Sequence, residues 1–323
     1  MKDLRTIGFI KSEKLFEKRI AILPEDLKDC KHCDQLYFEA GYGADYAICD
    51  EEYVQKGAHI QPRFEILTKD IICDPKIGEA TYLTSLRPET IIFGWIHAVE
   101  HTDLTDLLVK QKLTCYAWED MYYKDCHVFW RNNQIAGEGA VLQALTKFGK
   151  MPYESNVAII GRGNTAMGAN RILSGLGANI KFFNRKMEDL LTEEIRDFDI
   201  IVNAVLWDEK REDHLLSTEI MKLMRPGSMI IDVSDDDNGA IENSISTTIE
   251  NPMYEMNGVL IYAVNNVPSL FYKTATKEIS TCVKDYLDDL VEDNANEVLE
   301  KCLIIKEGNI LDEKIVNYQA IQR

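Results

Sequence analysis

The sequence predicts an α/β protein built from two doubly wound domains with a cleft between them. Short apolar runs rich in β-branched residues alternate with helix-forming segments along most of the chain, which is typical of parallel sheets with helices on both faces. The chain has 323 residues, enough for two domains that each bury a core. Hydrophobic residues make up 46% and charged residues 28%, so the composition does not indicate disorder.

The N-terminal part of the chain predicts the first parallel sheet. Its expected strands cover residues 6–10, 36–40, 71–73, 90–97 and 113–118. Its expected helices begin at Pro24, cover 50–56 with Asp50 as the cap, and cover 103–112. Lys76, His97 and Glu119 lie at or just past the end of a strand. Because ligands of such sheets gather beyond the carboxyl ends of the strands, these three residues are candidates for a binding site.

The middle of the chain contains a dinucleotide-binding fingerprint. Residues 156–160 form an apolar run that is followed by Gly161, Gly163 and the small residue Ala166, and then by helix formers. Gly161 permits a tight turn, Gly163 lets the backbone approach a pyrophosphate, and Ala166 replaces a third glycine where helix and strand pack closely. The alternative is a strand–turn–helix corner that binds no ligand. The other residues expected at the cofactor in this turn are Arg162, Asn164 and Thr165.

The end of the next strand indicates which nicotinamide cofactor binds. The apolar run over 178–183 is followed by Asn184, Arg185 and Lys186, where a site for NAD(H) normally has an acidic residue that holds the ribose 2′-hydroxyl. A carboxylate would repel a 2′-phosphate, whereas a guanidinium donates two hydrogen bonds to it. The sequence therefore favours NADP(H).

The fingerprint defines the expected domain boundaries. Residues 135–271 are expected to form the NADP-binding domain, and residues 1–134 together with 272–323 the substrate domain, with a linker at 134–139 and a helix over 136–150. The other expected elements of the NADP-binding domain are helices over 188–197 and 217–224 and strands over 199–205, 228–232 and 259–264. Residues 271–291 and 295–304 have helical spacing with no strand beside them, so they are expected to return to the first domain.

Composition and cysteine usage argue against several classes of partner. A formal charge of −18 argues against nucleic acid and anionic membranes, which both require a basic surface. No signal-peptide pattern is present, and no run approaches the roughly 18 apolar residues of a membrane span. Cys30 and Cys33 are the one close cysteine pair, without a second pair at zinc spacing. We therefore expect no metal, and eight reduced thiols in a cytoplasmic protein.

Four residues have the chemistry that a hydride-transfer site requires. Such a site must hold a substrate carboxylate, move a proton at the reacting group and face a nicotinamide ring. The candidates are Arg19, Lys76, His97 and Asp236. Each has an ordinary alternative, because the arginine, the lysine and the aspartate could be solvated loop charges and the histidine could be a core residue. Spacing alone does not decide between these alternatives.

Several motifs in the same order resemble one superfamily. They are residues 18–24, 39–43 and 50–58, Lys76, His97, and residues 161–163, 226–228, 231–239 and 265–268. Over nearly its full length the chain is similar to alanine dehydrogenases and transhydrogenases, and its substrate half is similar to lysine-forming saccharopine dehydrogenases. Within this superfamily it most resembles the N(5)-(carboxyethyl)ornithine synthases, NADPH-dependent enzymes that condense pyruvate with the side-chain amine of ornithine and reduce the imine.

The resemblance implies a role for each candidate. It implies that Arg19 and Lys76 hold the keto-acid carboxylate and carbonyl. It also implies that His97 is the general acid/base and that Asp236 lies close to the nicotinamide and the substrate. Asp236 and Glu119 are both candidates for binding the amines of the second substrate. Further positions that the resemblance assigns to the cofactor are Ala204, Val205, Asn266 and Val267.

Three functional hypotheses follow, all with two Rossmann-like domains. The first is reductive condensation of pyruvate with ornithine or lysine by NADPH. The second is a saccharopine- or alanine-dehydrogenase-like oxidoreductase, although alanine dehydrogenases carry an acid where this chain has Asn184 and Arg185. The third is a catalytically inactive NADP-binding regulatory protein, against which the joint presence of Arg19, Lys76 and His97 argues. A homodimer or homotetramer is expected from the superfamily alone.

Overall fold

The computed structural model describes residues 4–207, 211, 213–234 and 239–322. These residues divide into two compact units. Unit 1 consists of the chain up to Phe129 together with the chain from Tyr272 onward, and unit 2 is Trp130–Phe271. The boundary expected at residues 134 and 135 therefore falls a few residues inside unit 2.

Unit 1 begins with short apolar strands separated by helices and 3-10 turns. The strands are β1 (Ile7–Phe9), β2 (Leu36–Glu39), β3 (His59–Gln61), β4 (Ile71–Cys73), β5 (Ile91–Gly94), β6 (Thr114–Ala117) and the hairpin β7 (Tyr122–Tyr123) and β8 (Cys126–His127). The helices are α1 (Asp50–Val54), α2 (Arg63–Ile66) and α3 (Thr102–Lys110), and Pro24 opens a 3-10 helix. Asp50 is not the cap of α1, because Cys49 occupies that position and the Asp50 carboxylate accepts the backbone N–H of Gly41.

Unit 2 begins with a long helix and continues with a second sheet. The helices are α4 (Trp130–Phe148), α5 (Asn164–Gly175), α6 (Glu188–Glu194) and α7 (Thr218–Met221). The strands are β9 (Asn156–Ile160), β10 (Asn179–Phe183), β11 (Ile200–Asn203), β12 (Met229–Asp232), β13 (Met253–Met256) and β14 (Val259–Tyr262). The linker expected at 134–139 is wrong, since these residues lie within α4. The first turns of α4 are rich in polar residues, which conceal a helix from a search for apolar spacing.

The C-terminal segment completes unit 1. Its elements are α8 (Tyr272–Val283), α9 (Leu287–Glu292), α10 (Glu297–Cys302), β15 (Leu303–Lys306), β16 (Asn309–Ile310) and α11 (Glu313–Gln322). The expectation that no strand accompanies these helices is wrong, because β15 pairs antiparallel with β6 and β16 extends the sheet. Among the described residues no helix combines the length and apolar character of a membrane span.

The sheet of unit 1 has a topological switch point. Its order is β16-β15-β6-β5-β4-β1-β2-β3, and β1 through β6 run parallel. From β1 the chain first builds outward through β2 and β3, and then returns to the other side of β1 to add β4, β5 and β6. In such sheets ligands bind beyond the carboxyl ends of the two strands at the reversal. The segments that follow β1 and β4 are therefore the first place to look for a site in unit 1.

The sheet of unit 2 also reverses its strand order. The order is β10-β9-β11-β12-β14-β13, parallel except for the edge strand β13. Its switch point lies between β9 and β11, so the fingerprint turn after β9 faces the segment that begins at Ala204 after β11. Both units confirm the predicted doubly wound α/β architecture.

Apolar side chains cover both faces of each sheet. In β4, Ile71 and Cys73 pack into the core on one face of the unit 1 sheet, and Ile72 packs into the core on the other. In β9, Ala158 and Val157 contribute in the same way to the two cores of unit 2. Strands that are buried on both faces give the continuous apolar runs that the sequence displays. Polar groups are left to the loops at the strand ends.

Candidate active site

Arg19 lies in the segment that follows β1 and is almost fully buried. The Glu17 carboxylate accepts hydrogen bonds from its Nε at 2.9 Å and from its second terminal nitrogen at 2.6 Å. The indole ring of Trp95 lies 5.0 Å from the guanidinium carbon, at cation–π distance. The side chain of Glu17 has no exposed surface, so the arginine is oriented by a buried ion pair.

Lys76 follows β4 and is held in place through its own backbone and through its ammonium group. The buried carboxylate of Asp74 accepts the Lys76 backbone N–H at 2.8 Å and the Tyr82 hydroxyl at 2.8 Å. The Lys76 Nζ lies 3.3 Å from an oxygen of Glu79. Burial, reinforced by the nearby charge of Lys14, lowers the pKa of Lys76 to about 8. At neutral pH the group is still protonated and can donate to a substrate oxygen.

His97 does not end a strand as expected, because β5 ends at Gly94. Its backbone adopts the left-handed region with φ of 57°, which is uncommon for a non-glycine residue. A carboxylate oxygen of Glu119 accepts the His97 backbone N–H at 2.5 Å, and the other accepts the Ile96 N–H at 3.1 Å. Glu119 therefore stabilises the backbone on the N-terminal side of the imidazole.

The C-terminal helix fixes the backbone on the other side of His97. The buried amide of Gln319, in α11, donates to the carbonyl oxygens of Ala98 at 3.0 Å and Val99 at 3.3 Å. The hydroxyl of Thr105 also donates to the Ala98 carbonyl, at 2.7 Å. The unusual backbone of His97 is thus held from both ends, which is the arrangement expected when strain at a functional residue is stabilised by its surroundings.

Charge and burial set the protonation of the histidine. Burial lowers the pKa of His97 to about 3, and the positive charges of Lys76, His101, Lys14 and Arg19 act in the same direction. The imidazole is therefore neutral at pH 7. Burial raises the pKa of Glu119 to about 7, although backbone hydrogen bonds from Glu119 itself, His97 and Ile96 oppose that shift. Arg19, Lys76 and His97 are close enough to influence one another electrostatically, as expected for one site.

The turn after β9 has the geometry of a pyrophosphate cradle. Gly161 has φ of 109°, and a Cβ there would lie 3.0 Å from the carbonyl carbon of Ala204 and closer still to its oxygen. Gly163 is the N-cap of α5, and no described atom lies within 4 Å of the position of a Cβ on this residue. Ala166 is fully buried against β9, as the fingerprint requires. This open backbone at a helix N-terminus fits the diphosphate of a dinucleotide.

The end of β10 and the end of β11 form a pocket at the expected adenosine position. Its lining residues are Ile160, Asn184, Arg185, Glu188, Val205, Trp207, Arg211 and Leu215. Arg185 and Lys186 are exposed, and Arg185 donates to the Leu206 carbonyl at 2.9 Å. Arg211 binds both oxygens of Glu188, at 2.9 and 3.0 Å, and lies 4.4 Å from the centre of the Trp207 ring. Arg211 also donates to the Asp213 carboxylate, at 2.8 and 2.6 Å, so one guanidinium is shared between two carboxylates.

The other expected cofactor residues have different surroundings. Arg162 is exposed, whereas Asn164 and Thr165 are partly buried in the first turn of α5. Asn266 has a left-handed backbone with φ of 69°, and Val267 is buried beside Gly139. Asp236 lies outside the described residues, so its predicted role stays a prediction.

Comparison with known proteins identifies the family. The N-terminal-domain model of the alanine dehydrogenase/PNT family matches residues 9–128, and its C-terminal-domain model matches residues 181–317. An N(5)-(carboxyethyl)ornithine synthase from Clostridium botulinum is 33% identical over 292 residues, which cover 85% of this chain and 91% of that protein. One from Lactococcus lactis is 31% identical over 295 residues, covering 86% and 94%. The chain belongs to the alanine dehydrogenase/PNT family.

Membership of the alanine dehydrogenase/PNT family confirms the predicted resemblance. A solved L-alanine dehydrogenase matches with a TM-score of 0.82 at 19% identity, over 98% of this chain and 100% of that one, and so has the same fold. The family consists of pyridine-nucleotide-dependent dehydrogenases, and the fingerprint turn of unit 2 fits such a cofactor. The choice between NADP and NAD belongs to the proposal below.

Sequence reasoning missed several charged residues that surround the predicted ones. Lys14 and Glu17 lie in the charged loop between β1 and Arg19, and Asp74 and Glu79 flank Lys76. Glu17, Asp74 and Glu79 contact the predicted residues, and Lys14 contacts Glu79. The charges of Lys14, Glu79 and Glu17 act on the pKa of Lys76 in addition to burial. The one sequence signal that could have indicated these residues was the density of charge over 11–19, between β1 and the apolar residues 20–23. A charged run at the carboxyl end of a strand in an α/β sheet can line a ligand site, whereas one on a helix surface is usually solvated.

Proposed function

We propose that this protein condenses pyruvate with the side-chain amine of ornithine, with lysine as a possible alternative amine, and reduces the resulting imine with NADPH. The product from ornithine is N(5)-(carboxyethyl)ornithine. The observation that carries this proposal is the arrangement of three residues. The cations Arg19 and Lys76 lie at the switch point of unit 1, and their charges act on His97, which is neutral. Similarity to two synthases of that name over most of both chains supports the choice of substrates.

The keto acid would bind to Arg19 and Lys76. A guanidinium that is oriented by Glu17 presents a planar donor group to a carboxylate. The protonated ammonium of Lys76 would donate to the keto oxygen, which makes the adjacent carbon more electrophilic and favours attack by the amine. The low pKa of Lys76 leaves the group poised between donating and withdrawing a proton near pH 8.

His97 would move the protons of imine formation. The attacking amine loses a proton when it forms the carbinolamine, and the neutral imidazole can accept it, while Lys76 passes a proton to the keto oxygen to form the hydroxyl. The imidazolium then protonates this hydroxyl, which leaves as water as the nitrogen lone pair forms the C=N bond of the protonated imine. Because burial, reinforced by the surrounding cations, lowers the pKa of His97 to about 3, the histidine releases this proton readily.

The cofactor would supply the hydride that reduces the imine carbon. Gly161, Gly163 and the first turn of α5 would hold its diphosphate, and Arg185 with Lys186 would bind a 2′-phosphate. NADPH is therefore the proposed cofactor. A homodimer or homotetramer is proposed from the resemblance to the superfamily.

The test is the amine dependence of NADPH oxidation in the presence of pyruvate. We expect rapid oxidation with ornithine or lysine and little with ammonia. Oxidation with ammonia alone would instead indicate an alanine-dehydrogenase-like enzyme, and oxidation with 2-oxoglutarate and lysine a saccharopine-dehydrogenase-like one. If no combination of keto acid and amine consumed NADPH or NADH, the regulatory hypothesis would replace the catalytic one.

A further inference from the structure

We propose that the ion pair between Lys14 and Glu79 is the recognition site for the zwitterionic end of the amino-acid substrate. Lys14 would bind its α-carboxylate and Glu79 its α-ammonium group. This inference rests on the proposed function, since it concerns the second substrate of that reaction. It assigns binding roles to two residues beside those predicted to hold the keto acid.

The first argument is the position of Lys14. It belongs to the segment after β1, at the switch point where ligands of a doubly wound sheet bind. Only 15% of its side chain is exposed, which is unusual for lysine. A buried ammonium loses hydration, and this loss is offset when the site binds an anion.

The second argument is the shared carboxylate. The Lys14 Nζ lies 2.6 Å from Oε1 of Glu79, and the Lys76 Nζ lies 3.3 Å from the same oxygen. Two ammonium groups are therefore close neighbours, and one of them is the group predicted to bind the keto oxygen. The side chain of Glu79 is 39% exposed, so its carboxylate is accessible as well. An amino acid bound there by both charges would extend its side-chain amine over a short aliphatic chain toward the keto carbon.

The third argument is charge complementarity. Lys14 and Glu79 present a positive and a negative group side by side, which matches the α-carboxylate and the α-ammonium group of an amino acid. Ammonia would not use the Lys14–Glu79 pair, so the pair would also select amino acids over ammonia.

The experiment compares amines that differ only in the charges at the distant end. NADPH oxidation is measured at saturating pyruvate with ornithine, with 5-aminopentanoate, which keeps the carboxylate but lacks the α-ammonium, and with 1,4-diaminobutane, which lacks the carboxylate. Three variants of Lys14 are compared. Lys14→Met and Lys14→Gln both remove the charge, the second with a more polar side chain, and Lys14→Arg keeps the positive charge. Lys18→Met is the matched control, because this lysine lies in the same segment with about half of its side chain exposed.

Removal of the Lys14 charge should raise the KM for ornithine and 5-aminopentanoate by about 10- to 100-fold, the range for losing a hydrogen bond to a charged group. At pH 7, where Lys76 is protonated with or without the Lys14 charge, the KM for pyruvate and kcat/KM for 1,4-diaminobutane should change much less than the KM for ornithine. Lys14→Arg should restore most of the affinity for ornithine, and Lys18→Met should behave as wild type. Thermal denaturation of each variant checks that it is folded.

Two results would overturn the inference in different ways. If wild type depends on ornithine, but the folded Lys14 variants lower kcat for all three amines alike with unchanged KM for ornithine, Lys14 only supports Lys76 and the inference alone is wrong. If wild type consumes NADPH with no amino-acid amine, the proposed function is wrong and the inference is wrong with it.

Discussion

Substitution of Gly78 by alanine should disturb the site directly, because two of its segments meet at this glycine. Gly78 lies between Lys76 and Glu79, and its N–H donates to the Trp95 carbonyl at 3.1 Å. A Cβ at position 78 would lie 2.7 Å from the carbonyl carbon and 2.8 Å from the Cα of Ile96, and closer still to the carbonyl oxygen. These are backbone atoms next to His97, so they cannot rotate away as a side chain would.

The magnitude follows from the displacement that relieves the overlap. The two segments must separate by about an ångström, which is expected to destabilise the fold by about 1–3 kcal/mol. A shift of that size between Lys76 and His97 is expected to lower kcat by about 100-fold. Gly175→Ala is the matched control: no described atom lies within 4 Å of its Cβ position, and it ends α5. That variant should be as stable as wild type or more stable by up to about 1 kcal/mol.

The assay combines urea unfolding with steady-state kinetics on pyruvate and ornithine. Wild-type kcat and an unchanged unfolding midpoint in Gly78→Ala would refute the argument that this contact positions the two reacting groups. A loss of stability with full kcat would limit the role of Gly78 to packing. Activity lost equally in Gly175→Ala would mean that the assay responds to substitutions at glycine in general.

Three further predictions test the site and the cofactor. His97→Ala should lower kcat by about 10²- to 10⁴-fold while NADPH binding, followed by fluorescence titration, stays unchanged; full activity would contradict its catalytic role. Activity should fall as pH rises above about 8, because the protonated form of Lys76 is lost there. In the unfolded chain Lys76 keeps its ordinary pKa of 10.5, so the unfolded state binds more protons between these pH values. The contribution of Lys76 to the free energy of unfolding therefore increases with pH across that range, and a comparison of wild type with Lys76→Met by urea unfolding measures it. Replacing Arg185 and Lys186 by alanine should weaken NADPH binding by about 10- to 100-fold and NADH binding much less; equal losses would contradict the predicted cofactor preference.

The sequence predicted the elements whose local pattern agrees with the fold. The parallel strands are buried on both faces, so they appear as continuous apolar runs, and the fingerprint glycines occupy the turn that requires them. Strand β3 is a short, partly exposed edge strand without such a run. Strand β15 follows α10 directly, so its apolar residues extended an apparent helical pattern. Pairing with β6 is a long-range contact that local spacing does not encode.

The candidate site was only partly predictable for a related reason. Arg19, Lys76 and His97 were found by residue type, by position at strand ends and by resemblance. The pKa of Lys76 depends on burial and on the charges of Lys14, Glu79 and Glu17, which come from charged segments and whose positions around Lys76 become apparent only in the folded chain. The left-handed backbone of His97 is likewise held by contacts with distant residues, Glu119 and Gln319, which local spacing does not encode.

The site brings buried cations together in a chain that is acidic as a whole, and both its binding and its proton transfer follow from these cations. A net charge of −18 disfavours polyanionic partners. At the carboxyl ends of β1 and β4, however, Lys14, Arg19 and Lys76 lie close together. These cations would bind the carboxylates of small substrates. Burial, reinforced by the charges of these cations, lowers the pKa of both Lys76 and His97, which leaves one group a donor near its pKa and the other a neutral base. One cluster of buried cations therefore accounts for substrate affinity and for the acid–base properties of the groups that would act on the substrate.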